Sequence, residues 1–191
     1  MEMTTTLSTE DLQLVRFAKG ALAPKGHLYA PLNIDFDKID IKSAIISGIK
    51  RNSRDMLKIP GKIAGVRGIG YTGDQIPKWR EKHGVRKAGL YLGQVIRMQE
   101  EIGTGGGGFR FIYAAFLEQA HQYVPNDELL EISQLFTKSG DLWRNNAVAM
   151  AKVLKGVETE ASYFQELRDR FKEIESEERA AFKRLAALKL K

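Results

Sequence analysis

Helical periodicity dominates the apolar positions along this chain. Ser8 followed by Asp11 is a capping arrangement for a first helix, which Gly20 closes. Residues 21–34, ALAPKGHLYAPLNI, hold two prolines and read as an extended surface connector. Asp37 is placed to cap a second helix reaching about Leu57, on which Ile41, Ala44, Ile45 and Ile49 share one face. The stretch IPGKIAGVRGIGYTGDQIP, residues 59–77, has five glycines and two prolines. Glycine at that density disfavours an uninterrupted helix, so turns and short helical pieces are expected there. A further helix is predicted from about Lys87 to Glu101, ending at Gly103.

The clearest helix follows the glycines of GTGGGGFR. Phe109, Ile112, Tyr113, Phe116, Leu117 and Ala120 recur at three- and four-residue spacing and form a core-facing stripe. Phe111 and Ala114 lie off that stripe, which predicts burial on more than one side. Pro125 and Asn126 end this helix and begin the next. Residues 127–155 read as two helices, or as one bent near Gly140. In residues 158–190, Phe164, Leu167, Phe171, Ile174, Ala181, Leu185 and Leu188 keep an alternating three-four spacing, interrupted only by Glu178. Such a heptad seam serves either a terminal helix crossing its own domain or a contact with a second chain. The expected fold is all-α: about six to eight helices around one core, a glycine-rich loop before a buried helix, and a long C-terminal helix. Residues 1–156 form the helical domain in this reading, and 157–191 a C-terminal helix packing on the domain or on a partner.

Composition narrows the function classes. The chain has 191 residues, 43% of them hydrophobic, which suits one domain with a real core. Its formal charge of +6 favours anionic partners in general. Lys and Arg are interleaved with Asp and Glu, so a solvated surface is favoured over a nucleic-acid patch. With no cysteine, a disulfide scaffold, a thiolate zinc site and a cysteine nucleophile are all excluded within this chain. No apolar run is long enough to cross a membrane. The start MEMTTTLSTEDL lacks the pattern of a signal peptide, and a cytoplasmic setting is expected.

The glycine stretch is the main candidate for chemistry. Gly103, Gly105 and Gly108 satisfy G-x-G-x-x-G, but the preceding GLYLGQVIRMQEEI has helical rather than strand spacing. No strand ending in an acidic residue follows at the distance a dinucleotide site needs. Gly103 and Gly108 also have P-loop spacing, yet Phe109 and Arg110 stand where Lys and a hydroxyl residue are required. What remains is a helix start with unpaired N–H groups, glycines that admit close approach, and the guanidinium of Arg110. Together these suit a phosphate, a carboxylate or a developing oxyanion. The equal alternative is tight packing of Phe109 and its helix, with Arg110 paired to an internal acid. The candidate binding residues are Gly103, Thr104, Gly105, Gly106, Gly107, Gly108, Phe109, Arg110 and Tyr113.

Other constellations carry less. Glu118 and His121 form one Glu-x-x-His, and a di-iron bundle needs a second pair that this sequence lacks. His27 and His83 have no metal-ligand spacing, so no metal or cofactor is expected. Trp79 and Trp143 read as core or interface residues.

As a block, EIGTGGGGFRFIYAAFL resembles the signature of the C-terminal domain in the butirosin biosynthesis protein H family. AGVRGIGYTGDQIPKW, APKGHLYAPLN and the DLWRN stretch containing Trp143 also fit that domain's order of features, from about Ser8 to the C-terminus. The resemblance implies a helical domain partnered with an N-terminal papain-like half, and acyl transfer from a carrier-protein thioester to an amine. The implied nucleophile is a cysteine on that other half. This chain would then be a fragment, a split subunit or a stand-alone descendant, with an acyl-carrier protein as a further partner. The competing class is a non-catalytic interaction module that dimerises or docks through 164–188; a helical nucleic-acid binder comes third.

Overall fold

Three helix starts in this protein follow side chains that accept an otherwise orphaned amide. In the computed structural model, which describes residues 6, 8–20, 35–102 and 105–190, Ser8 accepts from the Asp11 N–H at 3.1 Å. Asp40 accepts from the Ser43 N–H at 2.9 Å, and Asn126 from the Glu128 N–H at 3.0 Å. The described residues form six α-helices: α1 Thr9–Arg16, α2 Ile41–Lys58, α3 Gly65–Glu100, α4 Arg110–Tyr123, α5 Asp127–Leu154 and α6 Ala161–Ala187. No strand occurs among them, so the all-α class is correct. The connector 21–34 lies outside the described residues.

The packing divides the chain into Met1–Ile39 and Asp40–Lys191. The first unit contributes α1. In the second, the first part of α3 packs on α6 and the last part on α5, while α4 packs on α5 and α2 on α6. Two buried clusters result. One joins Ile49, Leu117, Ile132, Phe136 and Phe182; the other joins Ile76, Leu92, Met150, Phe164 and Phe171.

Several expectations are corrected. Asp37 sits in a 3-10 turn, Phe36–Lys38, and Asp40 caps α2 instead. Ile41 is accordingly exposed, and the buried side of α2 runs through Ile45, Ile46, Ile49 and Met56. The glycine-rich 59–77 region is helical from Gly65 onward, through Pro77. The reason lies on the facing helix. A Cβ at Gly73 would come within 2.7 Å of the Phe171 Cβ, and one at Gly70 would collide with the Glu175 carboxylate. These glycines let α3 and α6 approach, and that packing offsets their low helix propensity. The break in α3 comes at Gly84, with φ 76° and ψ 165°. Helix α5 runs unbroken through Gly140, where the ring of Phe111 takes the space a Cβ would need. On α4 the buried line is Ala114, Leu117 and Ala120, so Ile112 and Phe109 face outward.

The heptad seam of α6 is buried against its own domain: Phe164, Leu167, Phe171, Ile174, Ala181, Leu185 and Leu188 all lie in the core. Residues 157–191 thus belong to the same packed unit as α2–α5. A second chain would have to use other positions of α6.

Candidate functional site

The loop before α4 is built on left-handed backbone. Gly105, Gly106, Gly107 and Gly108 have φ of 64°, 84°, 58° and 55°, and Phe109 continues at 71°. Glycine adopts such angles without a Cβ clash, whereas Phe109 is the one non-glycine residue with positive φ among those described. The loop then presses backbone on backbone against α5. A Cβ at Gly107 would meet the Phe111 ring at 2.9 Å and the Gly140 Cα at 3.2 Å. The glycines therefore serve both conformation and close approach.

The first amide of this turn is already occupied. The Gly107 N–H donates to both carboxylate oxygens of Glu100 at 3.2 Å. Gln99 donates to Glu100 at 3.0 Å and to the Trp143 carbonyl at 3.0 Å, which fixes the end of α3 beside α5. Arg144 lies 3.9 Å from Glu100 and 4.6 Å above the Phe111 ring centroid.

Arg110 is held as firmly. Its Nε–H donates to Glu178 Oε1 at 2.7 Å and its Nη2–H to Oε2 at 2.9 Å, a two-pronged pair, while Nη1–H reaches the Gly108 carbonyl at 2.5 Å. Glu178 is fully buried, and the Ser139 hydroxyl and the Trp143 indole N–H each donate to its Oε1 at 2.8 Å. The guanidinium carbon stands 5.0 Å from the Trp143 ring centroid. A buried carboxylate satisfied by one cation and two neutral donors is the arrangement that offsets its desolvation. The internal-acid alternative for Arg110 thus describes the observed pairing.

Two clefts share the wall Gly108–Phe109–Arg110. One, of about 320 Å³, is completed by Asn52, Met56, Tyr113, Phe136 and Phe182. The other, of about 310 Å³, is completed by residues that include Thr72, Val95, Met98, Gln99, Trp143 and Phe171. Phe109 is 53% exposed at the divide between them. The Tyr113 hydroxyl is buried without a hydrogen-bond partner among the described residues, and burial pushes its pKa above the usual phenol value.

Of the sequence candidates, Gly108, Phe109, Arg110 and Tyr113 line the first cleft. Gly105, Gly106 and Gly107 shape the loop behind it, and Gly103 and Thr104 lie outside the described residues. Met56, Phe136, Phe182 and Ser139 were not legible as site residues, because each is an ordinary member of a helical pattern. Glu178 did carry a signal: a carboxylate at a seam position is a buried charge in search of a partner.

The weaker candidates are structural. Glu118 accepts from the Ser133 hydroxyl at 2.9 Å, and His121 accepts from the Asn126 N–H at 3.2 Å. Among the described residues no group of three or more acidic, His or Cys side chains could hold a metal ion. His83 and Trp79 both meet the Tyr91 ring edge-on, and His27 lies outside the described residues. No described helix is long and apolar enough to cross a membrane.

Residues 10–185 match the model of a family described as a domain of unknown function, DUF4872. No curated protein and no solved structure matches the chain. With nearly its whole length matched, from within α1 to the last turn of α6, the chain belongs to the DUF4872 family.

Proposed function

We propose that this domain is the C-terminal part of an acyltransferase resembling the butirosin biosynthesis protein H family, shaping a site for an acyl thioester. The cysteine nucleophile comes from a papain-like domain or chain, since this sequence has none. That thiolate attacks the thioester carbonyl and releases the carrier thiol; an amine then takes the acyl group and frees the cysteine.

The observation that supports this reading is the cleft under Gly108–Arg110, walled by Met56, Tyr113, Phe136 and Phe182. At about 320 Å³ it sits at the small end of ligand sites. Its size and lining suit a short acyl group. Arg110, neutralised by Glu178, is a fixed polar edge rather than a free cation for phosphate. The phosphate-clamp role for the loop is correspondingly weaker than the acyl role.

Calorimetric titration of short-chain acyl-pantetheines into the purified chain tests the reading. Asn52 is exposed at the cleft rim, so Asn52→Trp fills the mouth without touching the core. Saturable binding that weakens on the order of tenfold in that variant is expected. Absence of saturable binding, or binding indifferent to Asn52→Trp, overturns the cleft assignment. Co-purification with a cysteine-bearing papain-like chain, and thioester turnover only in that complex, is the second expected result.

A further inference from the structure

The interleaving of charges along the chain is broken by stretches that hold cations alone. Residues 82–99 and 142–157 contain Lys82, Arg86, Lys87, Arg97, Arg144, Lys152 and Lys155, and no Asp or Glu. These hold seven of the 30 Lys and Arg and none of the 24 Asp and Glu, so the rest of the chain sets 23 cations against 24 carboxylates. These two segments, far apart in sequence, thus carry seven cations and no carboxylate, much as residues 41–73 set seven cations against Asp55 alone.

The fold brings those segments together. The last part of α3 runs antiparallel to the last part of α5. A Cβ at Gly89 would lie 3.3 Å from the Leu154 Cα, one at Gly93 would lie 3.1 Å from the Leu154 side chain, and Gln99 bonds the Trp143 carbonyl. Glycines at 89 and 93 seat the two helices closely side by side. Among the described residues, Arg86, Lys87, Arg97, Lys152 and Lys155 have no ion-pair partner, while Arg144 reaches Glu100.

The middle of this face is aliphatic. Leu90 is 61% exposed, Val148 64% and Val157 69%, and Leu154 is also open to solvent. Leu90 precedes Gly93 by one helical turn and so lies on the Leu154 side of α3. Val157 is turned back at the end of α5 by its N–H bond to the Lys152 carbonyl at 2.8 Å. An apolar centre with a cationic rim is the make-up of a protein interface whose partner is acidic.

We propose that this α3–α5 face docks an acidic amphipathic helix of another protein. Its aliphatic side chains cover Leu90 and Leu154 where the two helices meet and Val148 on the α5 stripe it shares with Arg144, Lys152 and Lys155, and its carboxylates meet the unpaired cations. A nucleic-acid backbone would answer the cations but leave the aliphatic centre unused, and no aromatic ring is among the exposed side chains of this face for base stacking. The α3–α5 face shares no residue with the acyl cleft.

The test is fluorescence anisotropy with the full chain and four probes: a labelled acidic amphipathic helical peptide, a scrambled peptide of the same composition, a duplex DNA and a single-stranded RNA. The ordered peptide is expected to bind most tightly, and to weaken as salt rises. Leu90→Ser with Val148→Ser, and separately Lys152→Glu with Lys155→Glu, should each weaken it on the order of tenfold. All four positions are exposed, and an unchanged thermal melt of each variant confirms the fold. Tighter binding to DNA or RNA, unaffected by the two serine substitutions, overturns the proposal in favour of a nucleic-acid face. Equal binding of the ordered and scrambled peptides, or no binding of any probe, overturns it outright.

Discussion

Arg110 and Glu178 lie 68 residues apart in the sequence and meet as a two-pronged ion pair under the glycine loop. The pair ties the first turn of α4 to the middle of α6, and through Ser139 and Trp143 it also ties in α5. Three helices are therefore registered against one buried carboxylate. The side-chain geometry at the shared wall of both clefts follows from it.

Removing one partner should be far worse than removing both. Arg110→Met leaves Glu178 buried without its cation and should cost about 3–5 kcal/mol in urea unfolding. Arg110→Met combined with Glu178→Leu should recover a large part of that loss. A single variant within about 1 kcal/mol of the parent would show that the pair does not organise this region.

The two glycines of α2 and α5 should respond oppositely to alanine. Gly48 is helical, and an added Cβ would meet no described atom within 4 Å, so Gly48→Ala should raise stability by about 0.5–1 kcal/mol. Gly140 faces the Phe111 ring at 2.7 Å, and Gly140→Ala should lower stability by about 1–3 kcal/mol. Thermal melts of the two variants check the ordering; equal shifts would mean that the Gly140–Phe111 contact is loose.

Tyr113→Phe should cost the folded state nothing. The hydroxyl has no partner among the described residues, so its loss should change stability by about 0–1 kcal/mol, in the stabilising direction. Burial raises the phenol pKa in the folded chain. The unfolded phenol ionises from about pH 10 while the folded one resists, so stability falls as pH rises past that value. Tyr113→Phe should flatten this alkaline decline, as urea melts across that pH range will show. A clear loss of stability at neutral pH would reveal a bound water on the hydroxyl.

Phe109→Gly separates strain from wall. Phe109 has φ 71° and is half exposed, so glycine relieves a backbone penalty on the order of 1–3 kcal/mol and gives up modest burial. Stability should hold or rise, while acyl-pantetheine affinity should fall, because the ring walls both clefts. Lost stability with unchanged affinity would assign the ring to packing alone.

Much of the architecture was legible from local chemistry. The caps at Ser8 and Asn126, the start of α4 after the glycines and the seam of α6 all follow from side chains acting within one or two turns. The expectation of turns and short helical pieces over 59–77 holds for 59–64 and fails from Gly65 onward, for a specific reason. Glycine's local propensity argues against a helix, and only the face of α6, with Phe171 and Glu175, explains why residues 65–77 are helical. Asp37 and Asp40 are equally good caps by type; the chain's path decided between them.

The sequence by itself determined the helical class, the glycine run, the absent thiol and a carboxylate at a seam position of α6. Those depend on residue type and on spacing of a few residues. Tertiary structure decided which acid meets Arg110, which carboxylate occupies the loop amide and which residues wall the clefts. It also set two carboxylate-free segments side by side. Apart from the Glu100–Gly107 bond, which closes a loop of seven residues, these are contacts between elements far apart in sequence, where side-chain direction and helix crossing, rather than local pattern, set which groups meet.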